Sequence, residues 1–257
     1  MVEILEDIVP LEFLTRDPYK ALVAYPHPAN DAIETRVQQL RDLGITGLKF
    51  HGPLKMGKLS VLGKGVVGLV FSGEANSDRV AVKIRRVDSR RTSMGHEAEM
   101  LKAANNAGIG PKLLGSSRDV LMMQFVEGQT LTPWIAGLGG RGTRARVRFT
   151  FKALFQQCAR LDAYGLDHGE LSRAHKNVLV SAQGRPWILD FESASLMRRV
   201  NNFTSIVQYL FLSGRFARRV LRILGPMDRD QLVNYLRLYK SGKTNDAFDG
   251  VLEMLRL

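Results

Sequence analysis

The chain has one cysteine, Cys158, in 257 residues. That excludes an intramolecular disulfide and fits a reducing compartment. No apolar run approaches the roughly 18 residues needed to span a membrane. Residues 1–7 are acidic where a secretory leader would be basic, so the expected location is cytoplasmic. Acidic residues are scarce, 25 against 37 lysines and arginines, which leaves a formal charge of +12. Such a balance suits a polyanionic partner, RNA, a ribonucleoprotein or an acidic surface, but a solvated basic surface is the commoner explanation of charge alone. The histidines His27, His51, His96, His168 and His175 share no metal-ligand spacing, and with a single cysteine this disfavours zinc. Long repeats and low-complexity segments are also missing.

What is present is a 45% hydrophobic, globular composition with a glycine motif near its first quarter. Gly63, Gly65 and Gly68 stand as G-x-G-x-x-G, with Val70 two places on. In a dinucleotide fold these glycines follow a strand and open a helix. In a protein-kinase fold they turn between two strands over the ATP phosphates. Here a short apolar run and a turn at Ser72 and Gly73 follow, then a second strand, Val80, Ala81, Val82, Lys83. No amphipathic helix starts there, so the second design fits. Before the loop, Asn30 and Asp31 with Glu34 suggest a capping box for a helix carrying Ile33, Val37 and Leu40, ended by Gly44. After it, a helix is expected over residues 92–107, then strands over 112–114 and 120–125. From residue 144 onward the pattern is helical. Val147, Phe151, Leu154, Cys158 and Leu161 form an apolar stripe, which makes Cys158 a buried hydrophobe rather than a nucleophile. Four more helices are expected near residues 203–212, 216–224, 230–239 and 246–255.

These motifs, in this order, resemble the protein-kinase-like superfamily over residues 58–212. The similarity is to predicted archaeal serine/threonine kinases near the RIO and KEOPS-complex kinases. The resemblance implies an α+β, bilobal fold: a β-rich N-lobe over residues 56–126 and a mainly helical C-lobe over 127–257. Residues 1–55 form an N-terminal extension of unassigned role, expected to pack on the first lobe. It also implies ATP and Mg²⁺ as cofactors. Gly63, Lys64, Gly65, Gly68, Val70 and Ala81 would surround the nucleotide, and Lys83 would hold its phosphates. Glu97, four places before Leu101, would clamp Lys83, with Glu99 as the rival clamp. Met123 would stand behind the adenine, the backbone of Gln124 and Val126 would meet its edge, and Leu179 would line the pocket. His168, Gly169 and Glu170 resemble the catalytic loop, with glutamate in place of aspartate as base and glycine in place of arginine. Asn177 and Asp190, at the ends of a hairpin turning through residues 181–184, would be hard oxygen ligands for Mg²⁺. Asp190 is followed by Phe191 and Glu192, so the usual D-F-G reads D-F-E.

Two further features depart from the family pattern. The loop from Glu170 to Asn177 is two residues longer than usual, and no A-P-E follows Asp190. The activation segment is therefore short, and control by its phosphorylation is not expected. The function expected is an atypical serine/threonine protein kinase with a protein substrate, Glu170 acting as base. One alternative is a nucleotide-binding pseudokinase or ATP-gated assembly factor on RNA. Another is a small-molecule kinase of the aminoglycoside type. Arg144, Arg148 and Lys152 on one helix, and Arg215, Arg218, Arg219 and Arg222 on another, could track phosphates on RNA.

Overall fold

The computed structural model describes residues 8–212, 215–242 and 244–257; the acidic start lies outside the described residues. The chain is α+β, with an antiparallel sheet-rich N-terminal part and a helical C-terminal part. It divides into two compact units, one from Met1–Lys102 and Pro111–Phe125, the other from Ala103–Gly110 and Val126–Leu257.

In the first unit the elements run β1 (Val9–Pro10), α1 (Lys20–Val23), α2 (Asn30–Asp42), β2 (Ile45–Lys49), β3 (Leu54–Met56), β4 (Leu59–Val61), β5 (Gly63–Lys64), β6 (Gly68–Ala75) and β7 (Asp78–Arg85). Helix α3 (Gly95–Asn106) starts in this unit, and β8 (Leu113–Ser116) and β9 (Val120–Gln124) complete it. One antiparallel sheet takes the order β1-β2-β6-β7-β9-β8, with β5 alongside β6. The turn expected at Ser72 and Gly73 does not form, since both pair within the strands; Asn76 and Ser77 close the β6–β7 hairpin instead, both with positive φ (52° and 66°), as a two-residue turn matched to strand twist demands.

The segment before the glycine loop is part of this unit. Leu14, Val23, Ile33, Val37, Leu40 and Leu48 join Leu69, Phe71, Val82, Ile84 and Val120 in one buried core. Phe50 bridges Tyr19 (centroids 4.8 Å apart) and Phe71 (5.5 Å). Each such large side chain removed from water contributes about 1.5–3 kcal/mol. Helix α2 buries Ile33, Val37 and Leu40 as its spacing requires, and Gly44 follows at φ 75°. The capping box does not form: the extended residue before the helix is Ala29, without a side-chain cap, so Asn30 already lies inside the first turn. Gln39 instead ties α2 to the β8–β9 turn, accepting from Ser117 Oγ (2.6 Å) and the Asp119 amide (2.7 Å).

In the second unit a three-stranded sheet orders β10 (Gln129–Thr130), β11 (Val178–Val180) and β12 (Pro186–Ile188). Its helices are α4 (Leu131–Ala136), α5 (Thr143–Tyr164), α6 (Asn202–Val207), which runs on as a π-turn over Gln208–Leu212, α7 (Arg215–Leu224), α8 (Arg229–Gly242) and α9 (Asn245–Met254). Glycines with positive φ, Gly142 (80°) and Gly165 (84°), bound α5. The α5 stripe is wholly buried, and Phe151 and Phe155 both pack on Phe211, with Phe203 against Phe155. Burial pushes the Cys158 thiol well above its ordinary range, so it is not the reactive thiolate. Among the described residues, no helix is long and apolar enough to cross a membrane.

Candidate functional site

In the first unit the glycine motif is a β-hairpin: Gly63 pairs with Val70 and Lys64 with Leu69, and the Gly65 amide donates to the Gly68 carbonyl (2.8 Å). A strand follows the last glycine, as the kinase-type design requires and the dinucleotide design does not. Gly68 is demanded by close approach, since a Cβ there would lie 2.8 Å from the Ile84 carbonyl oxygen and 3.0 Å from Lys83 Cγ. The loop is held on one flank. Lys64 Nζ donates to Tyr25 Oη (2.8 Å), and Arg86 donates its amide to the Val67 carbonyl (2.8 Å).

Register then sets which side chains share a face. Paired residues in an antiparallel sheet point the same way. Gly63 pairs with Val70, Val70 with Lys83 and Lys83 with Leu121; Ala81 pairs with Met123. Val70, Ala81, Lys83 and Met123 therefore occupy one face, while Leu69, Phe71, Val82 and Ile84 on the other enter the core. Lys83 Nζ donates to Glu97 Oε1 at 2.8 Å, with the two residues only 3% and 5% exposed. Glu99 is exposed. Helix phase explains the difference: Glu97 shares the buried side of α3 with Ala98 and Leu101. The Gln124 amide is taken by the Lys112 carbonyl (2.8 Å).

In the second unit, Asn177 and Asp190 flank the β11–β12 hairpin, where the Leu189 amide donates to the Asn177 carbonyl (2.8 Å) and Leu179 pairs with Trp187. The turn through residues 181–184 forms, with Gly184 at φ 81°. Asp190 has φ 66°, an uncommon conformation for a residue with a side chain and one that clusters at functional sites. Val126 begins this unit and is half-buried. A 3₁₀ turn over Leu171–Arg173 follows Glu170. Glu170 and Asn177 still meet, Asn177 Nδ2 donating to Glu170 Oε2 at 3.1 Å. Ser193 Oγ donates to the other carboxylate oxygen, Oε1, at 2.6 Å.

His168 is fully buried beneath this loop. Its Nε2 meets the Leu189 carbonyl (2.9 Å), while its Nδ1 accepts the Glu170 amide (3.4 Å). That pattern assigns the neutral, Nε2-protonated tautomer. Burial lowers the His168 pKa from its ordinary 6.5. The unfolded chain therefore binds a proton that the folded chain refuses. His168's contribution to stability is complete above about pH 6.5 and is lost as pH falls toward the folded-state value, by about 1.4 kcal/mol per unit. Urea midpoints followed between about pH 6.5 and 5 should fall for the parent and stay flatter for His168→Gln. Parallel curves would remove the buried neutral imidazole from the account.

Sequence inspection did not single out three polar residues in this unit. Asp162 accepts from the Asn202 and Phe203 amides (2.9 and 3.1 Å), Asn202 Nδ2 (2.8 Å) and Tyr239 Oη (3.2 Å), fixing the start of α6 to α5. Its signal was an acid on the apolar α5 stripe, one place after Leu161. Asp167 pairs with Ser195 through both backbone bonds (2.9 and 2.8 Å). Ser193 joins Glu170 across 23 positions, and no local pattern announces such a contact.

The basic helix faces are partly spent on structure. Arg144 Nε donates to the Ile223 carbonyl (2.9 Å), and Arg219 Nη2 to those of Ala136 and Leu138 (2.9 and 2.7 Å), all at or just beyond helix C-termini. Arg148 is half-buried, and the Arg215 side chain lies outside the described residues. Lys152, Arg218 and Arg222 are exposed. No protein-family model matches this chain, and no curated protein matches it significantly.

Proposed function

We propose that the protein is an ATP- and Mg²⁺-dependent phosphotransferase of the protein-kinase-like kind, acting on a hydroxyl acceptor of the serine/threonine type. The observation that carries this is the buried Lys83–Glu97 pair on the sheet face next to a glycine hairpin. A buried ion pair is a poor way to gain stability, since apolar residues of similar size usually do as well. Its presence beside a phosphate-binding loop is explained if Lys83 must be held charged and oriented for an anion.

In this mechanism the glycine-loop amides and Lys83 hold the triphosphate. On the first unit, Val70, Ala81 and Met123 would meet the base and Gln124 would meet its edge through its carbonyl. Asn177 and Asp190 offer an amide oxygen and a carboxylate, donors suited to a hard cation. Asn177 turns its Nδ2 to Glu170, which assigns its oxygen to the remaining side. Mg²⁺, when bound, would neutralise charge on the phosphates. Glu170 orients the acceptor hydroxyl and takes its proton. Catalysis is then mainly positioning and electrostatic stabilisation.

The metal assignment has its own test. Asp190→Asn removes the charge a hard cation requires but keeps the side chain's shape. Calorimetric titration with ATP should lose the tightening that Mg²⁺ gives the parent. An unchanged Mg²⁺ dependence would strike Asp190 from the site.

A further inference from the structure

We propose that Ser193 is a phosphoacceptor of this chain itself, with Glu170 as the base that takes its proton. The proposal rests on the phosphotransferase reading above and goes beyond it by naming the acceptor.

The hydroxyl is already where a base can act on it. Ser193 Oγ donates to Glu170 Oε1 at 2.6 Å, the short distance of a hydroxyl on a carboxylate. Glu170 is itself steadied, its second oxygen accepting from Asn177 Nδ2. The contact is not a chance meeting of loose side chains. Ser193 sits in a turn closed by the Ala194 amide on the Phe191 carbonyl (3.0 Å). The next residue but one, Ser195, is bonded through its backbone in both directions to Asp167, three residues before Glu170. The carbonyl of Ser193 accepts from Arg198 Nη2, whose guanidinium also pairs with Asp167 (2.9 Å). Gly169 completes the fit. Its φ is 84°, and a Cβ there would lie 2.8 Å from the Ser193 carbonyl oxygen, so a side chain before Glu170 would push the turn away. A half-buried serine, a fixed carboxylate and two backbone clamps make the nucleophile-and-base pair that hydroxyl activation requires.

The step balances without a further reactant. Ser193 Oγ forms a bond to the γ-phosphorus of a nucleoside triphosphate. The bond from that phosphorus to the bridging oxygen breaks, the nucleoside diphosphate leaves with its electron pair, and the hydroxyl proton passes to Glu170. The product carries about −1.5 to −2 charge beside a carboxylate and has no hydroxyl left to donate. Glu170 loses its Ser193 partner, and Arg198 is the neighbouring cation. Modification therefore ends itself after one phosphate and alters the base for any later acceptor.

The test uses the full chain with γ-labelled MgATP. ADP formation and calorimetric MgATP binding are measured on the same preparation, and the label is mapped by fragmentation that separates Ser193 from Ser195. Label on Ser193 approaching one phosphate per chain is expected. Ser193→Ala should bind MgATP but lose that label, Ser195→Ala should keep it, and Glu170→Gln should slow it by about 10²–10⁴-fold. Mapping on the parent decides the question even if Ser193→Ala misfolds. Binding and ADP formation with no label, or with label only elsewhere, would overturn the assignment of Ser193 and leave the phosphotransferase standing. Absence of MgATP binding would overturn both.

Discussion

Replacing Glu170 by glutamine should leave MgATP affinity unchanged and slow phosphoryl transfer by about 10²–10⁴-fold, the usual worth of a positioned general base. Glutamine keeps the length and one acceptor oxygen, so the bond from Asn177 has a partner to keep, while its NH2 can donate to the Ser193 hydroxyl instead of accepting from it. What it removes is the basicity. The side chain is one methylene longer than the aspartate of the protein-kinase pattern, and the loop behind it is two residues longer. With a 3₁₀ turn over Leu171–Arg173 between them, Glu170 and Asn177 touch. A degenerate loop would have no reason to keep that contact. Transfer rates under saturating ATP decide the matter; equal rates for mutant and parent would make Glu170 a structural acceptor only.

Lys83→Met should weaken MgATP binding by about 1.5–3 kcal/mol, the scale of a charge-assisted hydrogen bond, which is roughly 10- to 150-fold in affinity. It should also destabilise the fold. Glu97 is left buried without the ammonium it meets at 2.8 Å, and breaking a buried pair on one side costs about 3–5 kcal/mol. The two effects separate in a double variant. Lys83→Met with Glu97→Leu removes both charges, so stability should largely return while affinity should not. Urea denaturation reads the first and calorimetry the second. Recovery of both would mean that Lys83 only fills space; recovery of neither would mean that the swap fails to pack.

The sequence made the glycine hairpin legible because the residues after Gly68 read as a strand and leave no room for a helix, although that strand runs through Ser72 and Gly73, where the sequence suggests a turn, to Ala75. Glu97 could be separated from Glu99 on its spacing to Leu101, because helix phase is a local property. Strand register was not legible. That Val70, Ala81, Lys83 and Met123 share a face follows from pairings of residues up to 42 positions apart. The capping box misled because a helix can start one residue early at an extended alanine. The structural bonds of Arg144 and Arg219 were not legible, because helix C-termini supply bare carbonyls that long cationic side chains reach from far along the chain. Ser193 and Asp162 were hidden for the same reason as register. Their partners lie 23 and about 40 positions away, and a lone serine or buried aspartate has no pattern of its own.

Incubation of the purified chain with γ-labelled ATP, with and without Mg²⁺, tests the central claim most directly. Label is followed on the chain itself, on added protein acceptors and as free phosphate. The account predicts Mg²⁺-dependent transfer to a hydroxyl, lost with Lys83→Met and slowed with Glu170→Gln. Nucleotide that binds but is never cleaved, with label reaching neither protein nor water, would contradict it.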